Sequence, residues 1–184
     1  MKNLDIRNYA KEKKVNFEFE FTKSFNVSAL ETKYLNIGYS YPILKNINLK
    51  FEFGQKYLIY GKNGIGKSTF LKTILGIIPP LGGNIKMAPY NNILYYAQEE
   101  TIPSITAIEY VREKYPKMDD TEIRTLLAKY AVTGDLTIKP MTQLSGGEVT
   151  KVRFALLSLQ SSNLLILDEP TNHLDKSAKE SLMK

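Results

Sequence analysis

Apolar and polar positions alternate most cleanly near the start of the chain. Val15, Phe17, Phe19 and Phe21 are separated by Asn16, Glu18, Glu20 and Thr22, and a period of two predicts a half-buried strand. A polar loop follows, then a second strand from about Leu30 to Tyr39. A third carries Ile47, Leu49, Phe51 and Phe53 and turns at Gly54 into a strand over Lys56–Tyr60. The pattern then becomes helical from Lys67 to about Leu75, stopped by Gly76 and the Pro79-Pro80 pair. Gly82-Gly83 turns the chain into a short strand, Ile85-Lys-Met, and Asn92–Ala97 reads as another. From Thr106 the period is helical again. Thr106 with Glu109 forms a capping box for a helix reaching about Tyr115. Asp120 is expected to cap the next helix, in which Ile123, Leu126, Leu127 and Tyr130 share one face. A loop through Gly134 and Pro140 leads to a third helix over Ser145–Leu159. Leu164–Leu167 is apolar throughout, as expected of a strand covered on both faces. A last helix begins near Asp175. Residues 1–14 show no sustained period and read as a linker tail, and no internal repeat is visible.

Composition narrows this picture. A chain of 184 residues with 43% apolar and 24% charged content has room for one substantial core. Its longest apolar runs are too short to span a bilayer, and nothing near Met1 resembles a secretory signal. Cysteine is absent, which excludes a disulfide framework and thiol chemistry. A cytoplasmic location is the expectation. The formal charge of +6 permits attraction to nucleic acid. The basic residues are scattered, however, and the densest run, residues 1–14, suits a solvated tail as well as an RNA contact.

Candidate chemistry concentrates in Leu58-Ile-Tyr-Gly61-Lys-Asn63-Gly64-Ile-Gly66-Lys67-Ser68-Thr69. An apolar run, then glycines, then Lys-Ser-Thr opening a helix is the P-loop arrangement. Glycines let backbone N–H groups approach an anion closely, and the helix start adds partial positive charge. Lys67 would reach the β- and γ-phosphates of a nucleoside triphosphate, and the Ser68 hydroxyl would ligate Mg²⁺. Gly61, Asn63, Gly64, Gly66 and Thr69 complete the phosphate cradle. The plain alternative is a glycine-rich turn before a core helix. Much later, Leu164-Leu-Ile-Leu ends in Asp168-Glu169. In a P-loop protein the first carboxylate holds Mg²⁺ and the second is placed to polarise the attacking water.

Leu144-Ser145-Gly146-Gly147-Glu148 lies shortly before these carboxylates. Ser145 and Glu148 make a capping box, and Ser-Gly-Gly at a helix start also suits an anion. With the P-loop and Asp168-Glu169, this stretch resembles an ATP-binding-cassette (ABC) ATPase domain over residues 15 to 184. The resemblance implies an α/β P-loop NTPase fold with an N-terminal antiparallel β subdomain, a RecA-like core and a helical subdomain at about 104–160. It implies ATP and Mg²⁺ as ligands. By the same resemblance Gln98 is similar to the glutamine that touches Mg²⁺ and the attacking water, which makes Gln98, Lys67 and Glu169 the catalytic set. Tyr39 stands where the family stacks an aromatic on adenine, with Tyr41 close enough to compete. Ser145 and Gly147 would bind the γ-phosphate held by a second cassette, and Asp175 would organise contact between the two.

Asp168-Glu-Pro-Thr-Asn-His-Leu-Asp175, followed by Ala178-Lys-Glu, resembles the soluble ABC-F class. Members carry two cassettes in tandem, bind the ribosome, and act in translation or in resistance to ribosome-targeting antibiotics. Val15-Asn-Phe-Glu-Phe is similar to the strand opening the second such cassette. The alternatives are the ATPase subunit of an ABC transporter, against which Glu148 and Asn172-His173 argue, and a non-catalytic fragment. One element departs from the family. The last core strand and its switch histidine are not found, and the one histidine, His173, reads as a loop residue. The expectation is therefore a chain lacking the last core strands, with an incomplete catalytic site.

Overall fold

A computed structural model describes residues 17–22, 28–97 and 101–182. The linker tail, Val15, Asn16 and Gln98 lie outside these residues. The chain divides into two compact units. One comprises residues 19–100 and 160–170; the other comprises 101–159 and 171–184 together with the segment ending at Glu18.

The first unit is built on β1 (Ser28–Gly38), β2 (Pro42–Glu52) and β3 (Gly82–Met87), an antiparallel sheet in the order β2-β1-β3. β1 is not a uniform strand. Its register shifts against both neighbours near Tyr34, whose φ of 50° is left-handed. This is a bulge. The Tyr34 carbonyl stands 2.3 Å from where a Cβ on Gly83 would sit, so the facing strand needs glycine there. Asn48 accepts the Tyr34 amide through Oδ1 at 2.8 Å.

Helix α1 (Lys67–Ile74) packs on this unit through Phe70, Leu71 and Ile74, against Leu30, Leu35 and Ile37 of β1 and Ile166 of β5 (Leu164–Leu167). Burying those side chains removes apolar surface from water, the main force holding the helix here. β5 pairs in parallel with β4 (Ile93–Tyr96), Tyr95 opposite Ile166 and Tyr96 opposite Leu167.

Two strand expectations need correction. Residues 55–62 form no strand, although the apolar run Tyr57–Tyr60 suggests one. No strand is hydrogen-bonded beside it among the described residues, and β5 has β4 as its neighbour. An apolar run without a backbone partner stays irregular. In consequence Leu58 is 70% and Tyr60 88% exposed. For the same reason Leu164–Leu167 is not sheathed on both faces: Ile166 is buried and the other three are half-buried. Of the described part of the first predicted strand, Phe21 alone makes a bridge, to Ser162.

The second unit is helical. α2 (Ala107–Lys114) carries the expected capping box of Thr106 and Glu109. In α3 (Asp120–Lys129) the cap is Asp119, not Asp120, because Glu122 three residues on closes the reciprocal pair. Asp120 instead pairs with Arg112. Two short 3₁₀ turns, Gly134–Thr137 and Met141–Gln143, occupy the predicted loop. They lead into α4 (Gly146–Leu157). Ile123, Leu127, Val111, Met141, Val152 and Phe154 are fully buried, and Phe17 sets its ring edge-on to Phe154 at 4.9 Å. α5 (Lys176–Leu182) ends the described chain. Among the described residues no helix is long and apolar enough to cross a membrane.

Candidate functional site

Local backbone geometry builds the loop before α1. Gly64 and Gly66 have φ of 79° and 105°, values that side chains rarely adopt, and the Ile65 amide closes a turn on the Lys62 carbonyl at 3.3 Å. Gly66 caps α1 with no side-chain hydrogen bond. The first-turn amides thus have no capping side chain to bond, and such a helix start suits an anion. Lys67 arches back over it, donating to the carbonyls of Gly61 at 2.9 Å and Lys62 at 3.3 Å. A Cβ on Gly66 would lie 3.2 Å from Ile43 Cγ2, so the loop rests against β2.

Gly64, Gly66, Lys67, Ser68, Thr69 and Glu169 line one cleft. Gly61 is held to it through Lys67, and Asn63 is exposed in the turn. Asp168, next to Glu169 in sequence, is 2% exposed. The Ser68 hydroxyl donates to Asp168 Oδ1 at 3.0 Å, and the Tyr95 hydroxyl donates to Asp168 Oδ2 at 3.3 Å. Stretches far apart in sequence therefore meet at one carboxylate.

The donor set tests the fit for a metal. A hydroxyl and a carboxylate, both oxygen, with room for phosphate oxygens from the adjacent loop, suit Mg²⁺, which takes one or two carboxylates and substrate oxygens. Among the described residues no group of three or more His, Cys, Asp or Glu gathers, so no all-protein metal cage competes. Glu169 has a φ of 49°, a strained value for a residue with a side chain, and such strain gathers at functional sites.

Tyr39 and Tyr41 lie in the turn between β1 and β2, 64% and 74% exposed. Gly38 allows that turn, since a Cβ there would stand 2.1 Å from the Tyr41 carbonyl oxygen. Both rings are open to a stacking partner, and geometry does not choose between them.

Ser145 and Gly147 belong to the helical unit. Ser145 Oγ accepts the Glu148 amide at 3.3 Å, while its own amide donates to Glu148 Oε2 at 2.7 Å. Gly146 and Gly147 meet His173, whose ring would lie 2.8 Å from a Cβ on Gly146 and whose carbonyl oxygen would lie 2.5 Å from one on Gly147. Asp175 accepts the Ala178 amide at 2.8 Å and Lys151 Nζ at 3.3 Å. The backbone hydrogen bond from Ala178, with help from Lys151, holds the Asp175 carboxyl below its usual range. His173 therefore has a packing role on the start of α4, as expected of a loop residue. The glycines it requires are the same ones that read as an anion site. Sequence reasoning missed Tyr95, which sits in an apolar strand with nothing to separate it from a core residue.

Comparison with known proteins shows the family. The family model described as ABC transporter matches residues 44–172. An uncharacterized ABC transporter ATP-binding protein of Bacillus subtilis, YfmM, is 42% identical over 183 residues, 98% of this chain and 35% of the relative. The mouse ATP-binding cassette sub-family F member 3 is 35% identical over 146 residues, 77% of this chain and 20% of the relative. The chain thus spans about a third or less of these curated relatives. A solved structure of a putative ABC transporter ATP-binding protein from Pyrococcus furiosus superposes with a TM-score of 0.70 at 30% identity, covering 84% of this chain and 82% of that one. The chain belongs to the ABC transporter family, as an ABC ATPase domain of the F class.

Proposed function

We propose that this cassette binds ATP with Mg²⁺ and hydrolyses it to ADP and phosphate, within a cytoplasmic ABC-F protein that acts on the ribosome. The observation that carries the reading is the Ser68–Asp168 hydrogen bond, which unites the phosphate loop and the acidic strand end. Lys67 leaves the Gly61 and Lys62 carbonyls to hold the β- and γ-phosphates. Ser68 and Asp168 would hold Mg²⁺, which when bound would supply charge neutralisation for the transferring phosphoryl group. Glu169, lining the same cleft, orients water in line with the γ-phosphate. Gln98 acts beside them, and Tyr39 stacks on the base. Ser145 and Gly147 serve the γ-phosphate of a second cassette, so closure of two cassettes on ATP and release after hydrolysis form a conformational switch. The role is in translation or in ribosome protection against antibiotics.

A second reading, a cassette that binds nucleotide without hydrolysing it, is favoured by Tyr57–Tyr60 lying outside any strand directly before the phosphate loop. Melting the chain with and without ATP and Mg²⁺ tests both. A ligand that binds the native state raises the transition by mass action, so the melting temperature should rise with MgATP and the rise should vanish in Lys67→Ala. A melt indifferent to nucleotide would overturn ATP binding. Phosphate release separates the two readings: turnover lost in Glu169→Gln while the melt shift persists supports hydrolysis, and no turnover in the unaltered chain supports the second. ATP-dependent cosedimentation of the complete protein with ribosomes tests the partner.

A further inference from the structure

We propose that Tyr95 is a positioning residue for the metal site: its hydroxyl fixes the Asp168 carboxylate so that the opposite oxygen is presented to Mg²⁺. The proposal rests on the ATP reading above.

Asp168 is almost wholly buried. A buried carboxylate needs a donor on each oxygen, and each one missing is costly. The structure supplies both donors from different elements. Ser68, in the first turn of α1, serves Oδ1, and Tyr95, on β4, serves Oδ2. The sheet register explains the second contact. Tyr95 is paired with Ile166 in the parallel ladder, and Asp168 follows directly on the last residue of β5, its amide donating to the Tyr96 carbonyl at 2.9 Å. Two residues of strand rise about 6.6 Å, a distance a tyrosine side chain can reach along and Ser or Thr cannot. The ring itself packs against the core formed by β1, α1 and Ile166, so the hydroxyl has little freedom to wander.

The two donors are not equivalent. If Ser68 and Asp168 were to hold a cation together, the hydrogen bond between them would be given up. The Tyr95 bond is on the other oxygen and remains. It then alone sets the rotation of the carboxylate among the contacts described at this site. Groups that orient a metal ligand in this way commonly change metal affinity by about 10-fold or more when removed.

The test uses the full chain and Tyr95→Phe, which keeps the ring and removes one oxygen. Melting temperature is followed at saturating ATP while Mg²⁺ is varied, with ATP in EDTA as the metal-free reference. The Mg²⁺ concentration giving half of the metal-dependent rise should increase by about 10-fold, while the shift given by ATP in EDTA stays the same. The EPR spectrum of Mn²⁺ with ATP should likewise require more metal to reach its bound form in the variant. Equal metal dependence in the two proteins overturns the proposal. A fall in both shifts together also overturns it, since that is a general packing defect. Should Tyr95→Phe fail to melt cooperatively, 3-fluorotyrosine placed at position 95 keeps the hydroxyl. Its ¹⁹F resonance should then move with MgATP and stay put with ATP in EDTA, and equal behaviour in both overturns the proposal. If the unaltered chain shows no response to MgATP at all, the ATP reading fails and this one falls with it. That outcome differs visibly from a response that Tyr95→Phe leaves intact.

Discussion

Single residues carry two kinds of information here, and Gly147 shows how they overlap. In sequence, Gly147 belongs to a phosphate-binding pattern. In the structure the carbonyl oxygen of His173 occupies the space a side chain would need, 2.5 Å from an added Cβ. That oxygen is backbone, so it cannot swing aside as a flexible side chain would. Gly147→Ala should therefore lower stability without any nucleotide present, by about 1–3 kcal/mol, read from urea unfolding. A variant that melts like the unaltered chain would mean that the His173 loop yields freely, and the glycine would then be kept for the anion alone. Lys67, Ser68, Asp168 and Glu169 could be proposed without coordinates because phosphate chemistry constrains residue types and spacing, and the structure brings Lys67, Ser68 and Glu169 to one cleft with Ser68 bonded to Asp168. Tyr95 was not. Twelve tyrosines are spread along the chain, and nothing local separates one that packs from one that donates to a carboxylate across the sheet.

At the scale of elements, the helices were legible from their ends. Thr106 with Glu109 and Ser145 with Glu148 form capping boxes where the sequence indicates them. The α3 cap differs by one position, because two adjacent aspartates compete and only Asp119 stands three residues before Glu122. The Asp119 side chain takes the Glu122 amide at 2.8 Å. Asp119→Ala should consequently cost about 1 kcal/mol of stability, whereas Asp120→Ala, which loses one exposed ion pair to Arg112, should cost well under that. Paired thermal or urea melts decide it, and a larger loss at Asp120 would place the cap where the sequence alone suggested. Strands were less legible than helices. A helix satisfies its backbone within itself, while a strand depends on a neighbour that no local pattern encodes. The bulge at Tyr34 and the absence of a strand at residues 55–62 are both consequences of pairing.

Across the whole molecule, that missing pairing has a measurable result. Tyr57–Tyr60 combines exposed apolar side chains with a backbone that pairs with no strand among the described residues, a combination that promotes association between chains. The isolated 184-residue chain should therefore self-associate as its concentration rises, and replacing Leu58 and Tyr60 with lysine should reduce light scattering while leaving the melting temperature nearly unchanged. Scattering that ignores the substitutions would place the sticky surface elsewhere. The division into a sheet-bearing unit and a helical unit, with the chain crossing between them several times, has the same origin in contacts rather than in local sequence. Composition by itself determined that the chain has a core, no disulfides and no long apolar span, and motif spacing determined the phosphate loop, the two carboxylates and the family. These follow from chemistry that acts over a few adjacent residues. Tertiary structure alone decided that Asp168 is gripped from two sides by Ser68 and Tyr95, that His173 seats itself on Gly146 and Gly147, and that the run before the phosphate loop finds no strand to pair with among the described residues. Each of those depends on which distant segments come within hydrogen-bonding or van der Waals reach, and that is settled only when the chain has folded.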